Sequence, residues 1–405
     1  MGTSREQPLR VLAADDSAVM RGIMQKLFEM HGEDRLSRLP SMELCGTAQD
    51  GVECMDAVAR LKPDLLVLDL EMPRLNGLDV LERLRETNPG LPVIMCSSYT
   101  ERGAQSTLEA LARGAADYVM KPSAQRDLAA ALQSLAEQLL PKIAALTRGR
   151  RPEAGESAAP TSKHARGGET AALKDSPIEV VVIGLSTGGP SALEQMLPRL
   201  PSSFPVPVLI VQHMPKLFTG ALAERLDKCC ALRVRQAQDG ESIVPGTVWL
   251  APGDSHMEVA ARRMGFDAAD VDARGRGARV RLHQQEPLNH CRPSVDYLFH
   301  SAARLYGASA LALMMTGMGA DGLGGARAVH EAGGVVLAQD EATSAVWGMP
   351  GRVADAGIAN AVLPLAAIAG EIRQRVSAGR PMRIISAEHA VSAPTSRREG
   401  MYDLF

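Results

Sequence analysis

Between residues 10 and 140, short apolar runs alternate with amphipathic stretches, and the same alternation resumes over residues 178–375. Strands alternating with helices argue for a parallel, doubly wound α/β sheet. At 405 residues the chain is too long for one ordinary domain, so two such sheets are expected. In the first, Val11–Ala14, Leu65–Leu70, Pro92–Cys96 and Tyr118–Met120 read as buried strands. Val19, Ile23 and Leu27 recur at helical spacing with Met20, Met24 and Phe28 beside them, which predicts a helix with one buried face and Ser17 as its N-cap. Further helical patterns cover Gly51–Leu61, Gly77–Glu86, Ser106–Arg113 and Asp127–Leu139. In the second, strands are expected at Ile178–Leu185, Pro207–Gln212, Thr247–Ala251, Ala310–Thr316 and Gly334–Gln339, with a polar hairpin over residues 258–283. Residues 148–177 hold almost no large apolar side chain, and between Arg148 and Lys174 six Lys/Arg stand against three Glu, the composition of a flexible, mildly basic spacer. The expected organisation is a first domain at 9–140, a linker at 141–177, a second domain at 178–375 and a loose tail at 376–405.

Composition narrows the function classes. A net charge of -3 offers no basic face for nucleic acid. The six cysteines form no CxxC pair and read as reduced thiols of a cytoplasmic protein. The N-terminus has no apolar signal region, and the apolar runs are strand-length, so no membrane insertion is expected.

Asp15, Asp16 and Asp69 each follow an apolar strand. In a parallel sheet those strand ends converge on one surface, where ligands bind. Three carboxylates held together repel unless a cation sits among them, and a hard divalent ion such as Mg2+ is the natural filler. Lys121, before Pro122, reaches the same surface from a further strand. A carboxylate flanked by Mg2+ and an ammonium suits phosphoryl transfer. A single such Asp would be an ordinary strand-end cap; Ser97 and Lys121 at other strand ends favour function. The runs ADDS, VLDLEMPRLNGLD, VIMCSS and DYVMKP resemble, in order, the motifs of a response-regulator receiver domain. That resemblance implies a flavodoxin-like fold with Asp69 as phosphoacceptor. It also implies Mg2+ held by Asp15, Asp16, Asp69 and the carbonyl of Glu71, Lys121 at the phosphoryl group, and Ser97 and Tyr118 at the switch positions. A longer stretch at Glu33–Met42 precedes the second strand, at an edge away from the site.

In the second domain, Gly184-Leu185-Ser186-Thr187-Gly188 fits G-x-S-x-G between a strand and a helix at Ser191–Leu197, the context of a nucleophile elbow. The helix N-terminus offers free N–H groups for an oxyanion. A phosphate-binding glycine loop is the rival reading, although no Lys follows the turn and the spacing fits neither common phosphate motif. Of the nine histidines, His213 and His256 follow strands and are the candidates for a base. Asp321 ends the glycine-rich turn after Ala310–Met315 and can orient a base. The order Ser…His…Asp is not that of an α/β-hydrolase.

The runs IGLSTGGP, QHMP, APGDSHM, CRPSVDYLF, TGMGADG and QDEATSAVWGMP, spanning residues 180–350, resemble the catalytic domain of chemotaxis protein-glutamate methylesterases. The resemblance implies a Rossmann-like hydrolase with the triad Ser186, His213 and Asp321, and an oxyanion role for the backbone N–H of Met318; His256 would not be the base. A receiver followed by this domain is that family's architecture. It implies hydrolysis of glutamate γ-methyl esters on methylated chemoreceptors without a cofactor for the ester step, and deamidation of receptor glutamines is part of the same expectation. It further implies a chemotaxis histidine kinase as phosphodonor and an unphosphorylated receiver that covers the active site. The rival class is a non-enzymatic phospho-dependent adaptor, which an intact Ser/His/Asp set argues against; a regulator in a surface-sensing pathway is a further alternative. The terminal Met-Tyr402-Asp-Leu-Phe405 has two readings: packing of Tyr402 and Phe405 in a nearby groove, or, from its resemblance to the aromatic pentapeptide at the C-termini of some chemoreceptors (with Tyr where Trp is usual), docking to the receptor methyltransferase through the two rings.

Overall fold

The structure is a computed structural model and describes residues 7–33, 39–122, 128–148, 176–261 and 277–378. The first domain is a five-stranded sheet of β1 (Leu9–Ala14), β2 (Met42–Ala48), β3 (Leu65–Asp69), β4 (Val93–Ser97) and β5 (Asp117–Met120), in the order β2-β1-β3-β4-β5. All its pairings are parallel. Alternation along each strand feeds two cores. Val11, Ala13, Leu65 and Val67 face α1 (Ala18–Glu33) and α5 (Leu128–Thr147), while Leu12, Ala14, Leu66 and Leu68 face α2 (Gly51–Leu61), α3 (Gly77–Thr87) and α4 (Glu101–Ala112).

The boundary expected at residue 140 falls inside α5. That helix runs through Pro141 to Thr147 because its buried stripe continues at Leu139, Leu140, Ile143 and Thr147. Proline inside a helix costs about 3 kcal/mol. Full burial of Leu140 and Ile143 contributes about 1.5–3 kcal/mol each and outweighs it. The extra turn also carries Lys142, which proves to matter at the domain contact.

The second domain is a seven-stranded sheet. Its strands are β6 (Val180–Leu185), β7 (Val208–Gln212), β8 (Arg233–Gln236), β9 (Thr247–Leu250), β12 (Ala310–Met314), β13 (Val335–Gln339) and β14 (Ala361–Leu363). The order is β14-β13-β12-β6-β7-β9-β8, again with parallel pairings. The edge strands β8 and β14 have no expectation behind them, because they are short and carry only partial burial. The hairpin is present as antiparallel β10 (His256–Ala261) and β11 (Ala278–His283); its tip lies outside the described residues. Helices α6 (Gly189–Met196), α7 (Lys216–Cys229), α8 (Val295–Tyr306), α9 (Leu323–Glu331), α10 (Met349–Asp355) and α11 (Leu365–Ala378) complete the layers. The chain leaves β6 towards β7 on one side and returns as β12 on the other. The carboxyl end of β6 is therefore the topological switch point, where such sheets form a ligand crevice.

Candidate functional sites and the contact between them

Asp15 and Asp69 are buried at the carboxyl ends of β1 and β3, with Asp16 exposed beside them. One ligand atom from each of the three lies within 4.8 Å of the others. Lys121 Nζ, just past β5, sits 2.9 Å from Asp15 Oδ2 and 2.8 Å from Asp69 Oδ2. Apart from that ammonium, the two buried oxygens have no hydrogen-bond donor. Burial pushes the Asp69 carboxyl up to about 6; Lys121 opposes this and the neighbouring Asp15 charge adds to it. Burial alone would lower Lys121, but its bonds to Asp69 and Asp15 hold it above its ordinary range. Underserved oxygens on a carboxylate so raised are what a small hard divalent cation satisfies, so the donor set fits Mg2+. Asp16, Asp69, Glu71, Ser97 and Lys121 line one cavity of about 120 Å³. The Glu71 side chain turns outward, 3.8 Å from Arg102. Ser97 Oγ, buried, accepts from Thr107 Oγ1 at 2.7 Å.

In the second domain, register places Leu185 opposite Gln212, so Ser186 and His213 are the next residues on neighbouring strand ends. The Ser186 turn is clamped from three sides. Gln212 Nε2 donates to Ser186 O at 2.9 Å, Ser186 N to Thr316 O at 3.0 Å, and Thr316 Oγ1 to Thr187 O at 2.9 Å. Gly188 takes φ 79°, a left-handed conformation that glycine adopts without strain. Gly317 lies so close that an added Cβ would stand 3.0 Å from Ser186 Cβ. The next residue, Met318, gives its N–H to no acceptor among the described residues.

His213 Nε2 meets Asp321 Oδ2 at 2.8 Å. Asp321 is further held by Ser294 Oγ at 2.6 Å, Val295 N at 2.6 Å and Asn289 Nδ2 at 2.9 Å. Burial would raise its carboxyl, yet the bonds from His213, Ser294 and Asn289 outweigh burial and hold it below the usual range. For His213, burial would lower the ring, but Asp321 first and Cys291 second raise it to about 9. The ring's other nitrogen, Nδ1, faces Cys291 Sγ at 3.6 Å. Asp321 thus engages Nε2, and Nδ1 is the ring nitrogen that it leaves open. His256 is fully buried and bonds neither His213 nor Asp321; its Nδ1 accepts from Ser294 N at 3.2 Å and its Nε2 lies 3.2 Å from Glu286 O. It braces the segment from which Ser294 reaches Asp321.

The two domains are in physical contact beside the Ser186 turn. Tyr118 on β5 stacks on Phe218 of α7, with ring centroids 4.7 Å apart and planes 5° from parallel. Its neighbour Asp117 accepts from Thr187 Oγ1 at 2.6 Å, and Thr187 directly follows Ser186. Lys142 Nζ lies 2.8 Å from the same Asp117 oxygen and 2.7 Å from Tyr118 O. Ser191 Oγ at the start of α6 donates to Leu111 O of α4 at 2.9 Å.

The structure therefore brings together Asp15, Asp16, Asp69 and Lys121 in one site and His213 with Asp321 in another, with Ser186 at the adjoining strand end. Tyr402 and Phe405 lie outside the described residues. Sequence reasoning missed Gln212, Asn289, Cys291, Ser294, Asp117 and Lys142 as site residues. Gln212 stood in the QHMP run, and Cys291 and Ser294 in the CRPSVDYLF run, where their position was the only signal.

Fold and sites together define a two-domain protein, a receiver sheet packed on an α/β sheet of serine-hydrolase type. A family model described as CheB methylesterase matches residues 181–372, and one described as response regulator receiver domain matches residues 11–133. A protein-glutamate methylesterase/protein-glutamine glutaminase of Trichodesmium erythraeum is 41% identical over 367 residues, 91% of this chain and 99% of that protein. One from a Nocardioides species is 45% identical over 379 residues, 92% of this chain and 97% of that protein. The crystal structure of the Thermotoga maritima CheB methylesterase catalytic domain is 41% identical, with a TM-score of 0.45, covering 49% of this chain and 98% of that one. The chain belongs to the protein-glutamate methylesterase/protein-glutamine glutaminase family. No helix among the described residues is long and apolar enough to cross a membrane.

Proposed function

We propose that this protein hydrolyses glutamate γ-methyl esters on chemoreceptors, releasing methanol, and that phosphorylation of Asp69 switches it on. The observation that carries the reading is the His213–Asp321 pair at 2.8 Å beside the clamped Ser186 turn. Ser186 Oγ attacks the ester carbonyl while its proton passes to His213 Nδ1, because Nε2 is engaged by Asp321. Asp321, fixed by its bonds from Ser294, Val295 and Asn289, steadies the imidazolium. The Met318 N–H, without an acceptor among the described residues and one residue beyond the contact of Gly317 with Ser186, receives the oxyanion. His213 returns the proton to the departing methanol, and water then hydrolyses the acyl-enzyme by the same steps in reverse.

In the receiver, Asp15, Asp16 and Asp69 would hold Mg2+, which when bound neutralises charge on a transferred phosphoryl group. Asp69 is the nucleophile towards a histidine-kinase phosphodonor, and Lys121 pairs with the phosphoryl oxygens. With Asp117 bonded to Thr187, the receiver sits against the nucleophile turn, and phosphorylation shifts the domains towards an open arrangement. The same acyl chemistry serves glutamine side chains with loss of ammonia. The test is methanol and ammonia release from methylated and glutamine-bearing receptor, with and without a small phosphodonor and Mg2+. Absence of methanol under all conditions would sink the proposal.

A further inference from the structure

We propose that His213 Nδ1 and Cys291 Sγ form a binding site for a divalent cation of intermediate softness, Zn2+ fitting best, and that its occupation shuts off ester hydrolysis. The second half rests on the function proposed above; the first does not. Nδ1 and Sγ lie 3.6 Å apart. Zn–N of about 2.05 Å and Zn–S of about 2.3 Å at a tetrahedral angle span about 3.6 Å, so the spacing matches that of two ligands on one zinc ion. The imidazole is already oriented as zinc-binding histidines are, with its far nitrogen on a carboxylate, here Asp321 at 2.8 Å. Ligand atoms of His213, Cys291 and Asp321 all fall within 4.8 Å of one another.

The cysteine is held in place. Leu288 and Cys291 pair across a two-residue turn in which Asn289 and His290 both take left-handed backbone, φ 54° and 63°. Two consecutive non-glycine residues in that region persist only when the surroundings hold them. Asn289 Nδ2 supplies the hold by donating to Asp296 and Asp321, each at 2.9 Å. Thiolate and imidazole select Zn2+ over Mg2+, so this site differs in kind from the all-oxygen set at Asp15, Asp16 and Asp69.

Binding is balanced as follows. The Cys291 thiol gives up its proton to solvent, its thiolate and the Nδ1 lone pair each donate to the metal, and water fills the remaining positions. Any proton on Nδ1 leaves as well. Nδ1 is the atom that takes the Ser186 proton, so metal binding and base catalysis exclude each other.

The experiment uses the full chain with Zn2+ as inhibitor and Co2+ as a spectroscopic stand-in. Each variant's methanol release is divided by its own metal-free rate. Zn2+ should inhibit the parent, and Cys291→Ala should weaken that inhibition at least about tenfold, the loss of one of two protein ligands. Co2+ should give a thiolate-to-metal charge-transfer band at one ion per chain. The band should disappear in Cys291→Ala and remain in a Cys229→Ser/Cys230→Ser double variant, which removes the exposed Cys229 and its neighbour. Equal Zn2+ inhibition of parent and Cys291→Ala, or a Co2+ spectrum without the Cys291-dependent band, overturns the proposal and leaves only a thiol–imidazole contact. If no variant releases methanol, the hydrolase reading has failed while the Co2+ spectrum still decides the site.

Discussion

Replacing Thr187 with valine removes one hydroxyl from the domain contact and little else. That hydroxyl donates to Asp117 Oδ2 at 2.6 Å, and both residues are buried. A hydrogen bond to a charged acceptor contributes about 1.5–3 kcal/mol. Lys142 remains on the same carboxylate oxygen at 2.8 Å, so no unpaired charge is left behind and the lower end of that range applies. About 1.5 kcal/mol is roughly a tenfold change in the equilibrium between closed and open domains. Thr187→Val in the full chain should therefore raise methanol release without phosphodonor about tenfold, provided the resting enzyme is mostly closed. The ratio of phosphodonor-stimulated to basal rate should shrink by the same factor. Because Thr187 adjoins Ser186, the valine can also alter the chemistry itself. The ratio removes any effect common to both states and is the quantity to measure. A ratio unchanged within about twofold would refute the idea that this bond helps to hold the resting enzyme shut.

Other outcomes follow from the same geometry. Ser186→Ala and His213→Ala should each lower methanol release ~10^4-fold or more with circular dichroism unchanged; retained activity in His213→Ala and loss in His256→Ala would reverse the base assignment. Asp69→Asn should abolish Mg2+-dependent stimulation by phosphodonor and leave the basal rate intact, and persisting stimulation would place the phosphoacceptor elsewhere. His213 is raised to about 9 and must be neutral to act as base, so kcat/KM of the unphosphorylated enzyme should climb as pH rises towards 9. A profile already flat from pH 7 would contradict this. The same shift has the opposite sign for stability: a raised folded-state value means the imidazolium–Asp321 pair stabilises fully below about 6.5 and loses that contribution as pH rises through about 9. Denaturant midpoints across that window give the check.

Much of both sites is written locally along the chain. Asp15, Asp16, Lys121, Ser186, His213 and Asp321 each follow a strand or close the short turn after one, Asp69 ends one, and a parallel sheet carries all its strand ends to one side. The G-x-S-x-G turn declares itself too, since the left-handed Gly188 and Gly184, packed against Val295, leave no room for a side chain. The end of α5 was misplaced because Pro141 is a local stop signal, whereas Ile143 and Thr147 override it only by finding a core to enter. Tertiary structure alone decided the rest. Cys291 reaches His213 across 78 positions of chain, Thr187 reaches Asp117 across 70, and Tyr118 finds Phe218 in the other domain. Such contacts leave no periodicity or spacing in the sequence, because the two partners meet only after separate elements have folded and packed. The residues proposed to perform the chemistry were legible as strand ends, and the residues that hold and link them became visible only once those ends were brought together.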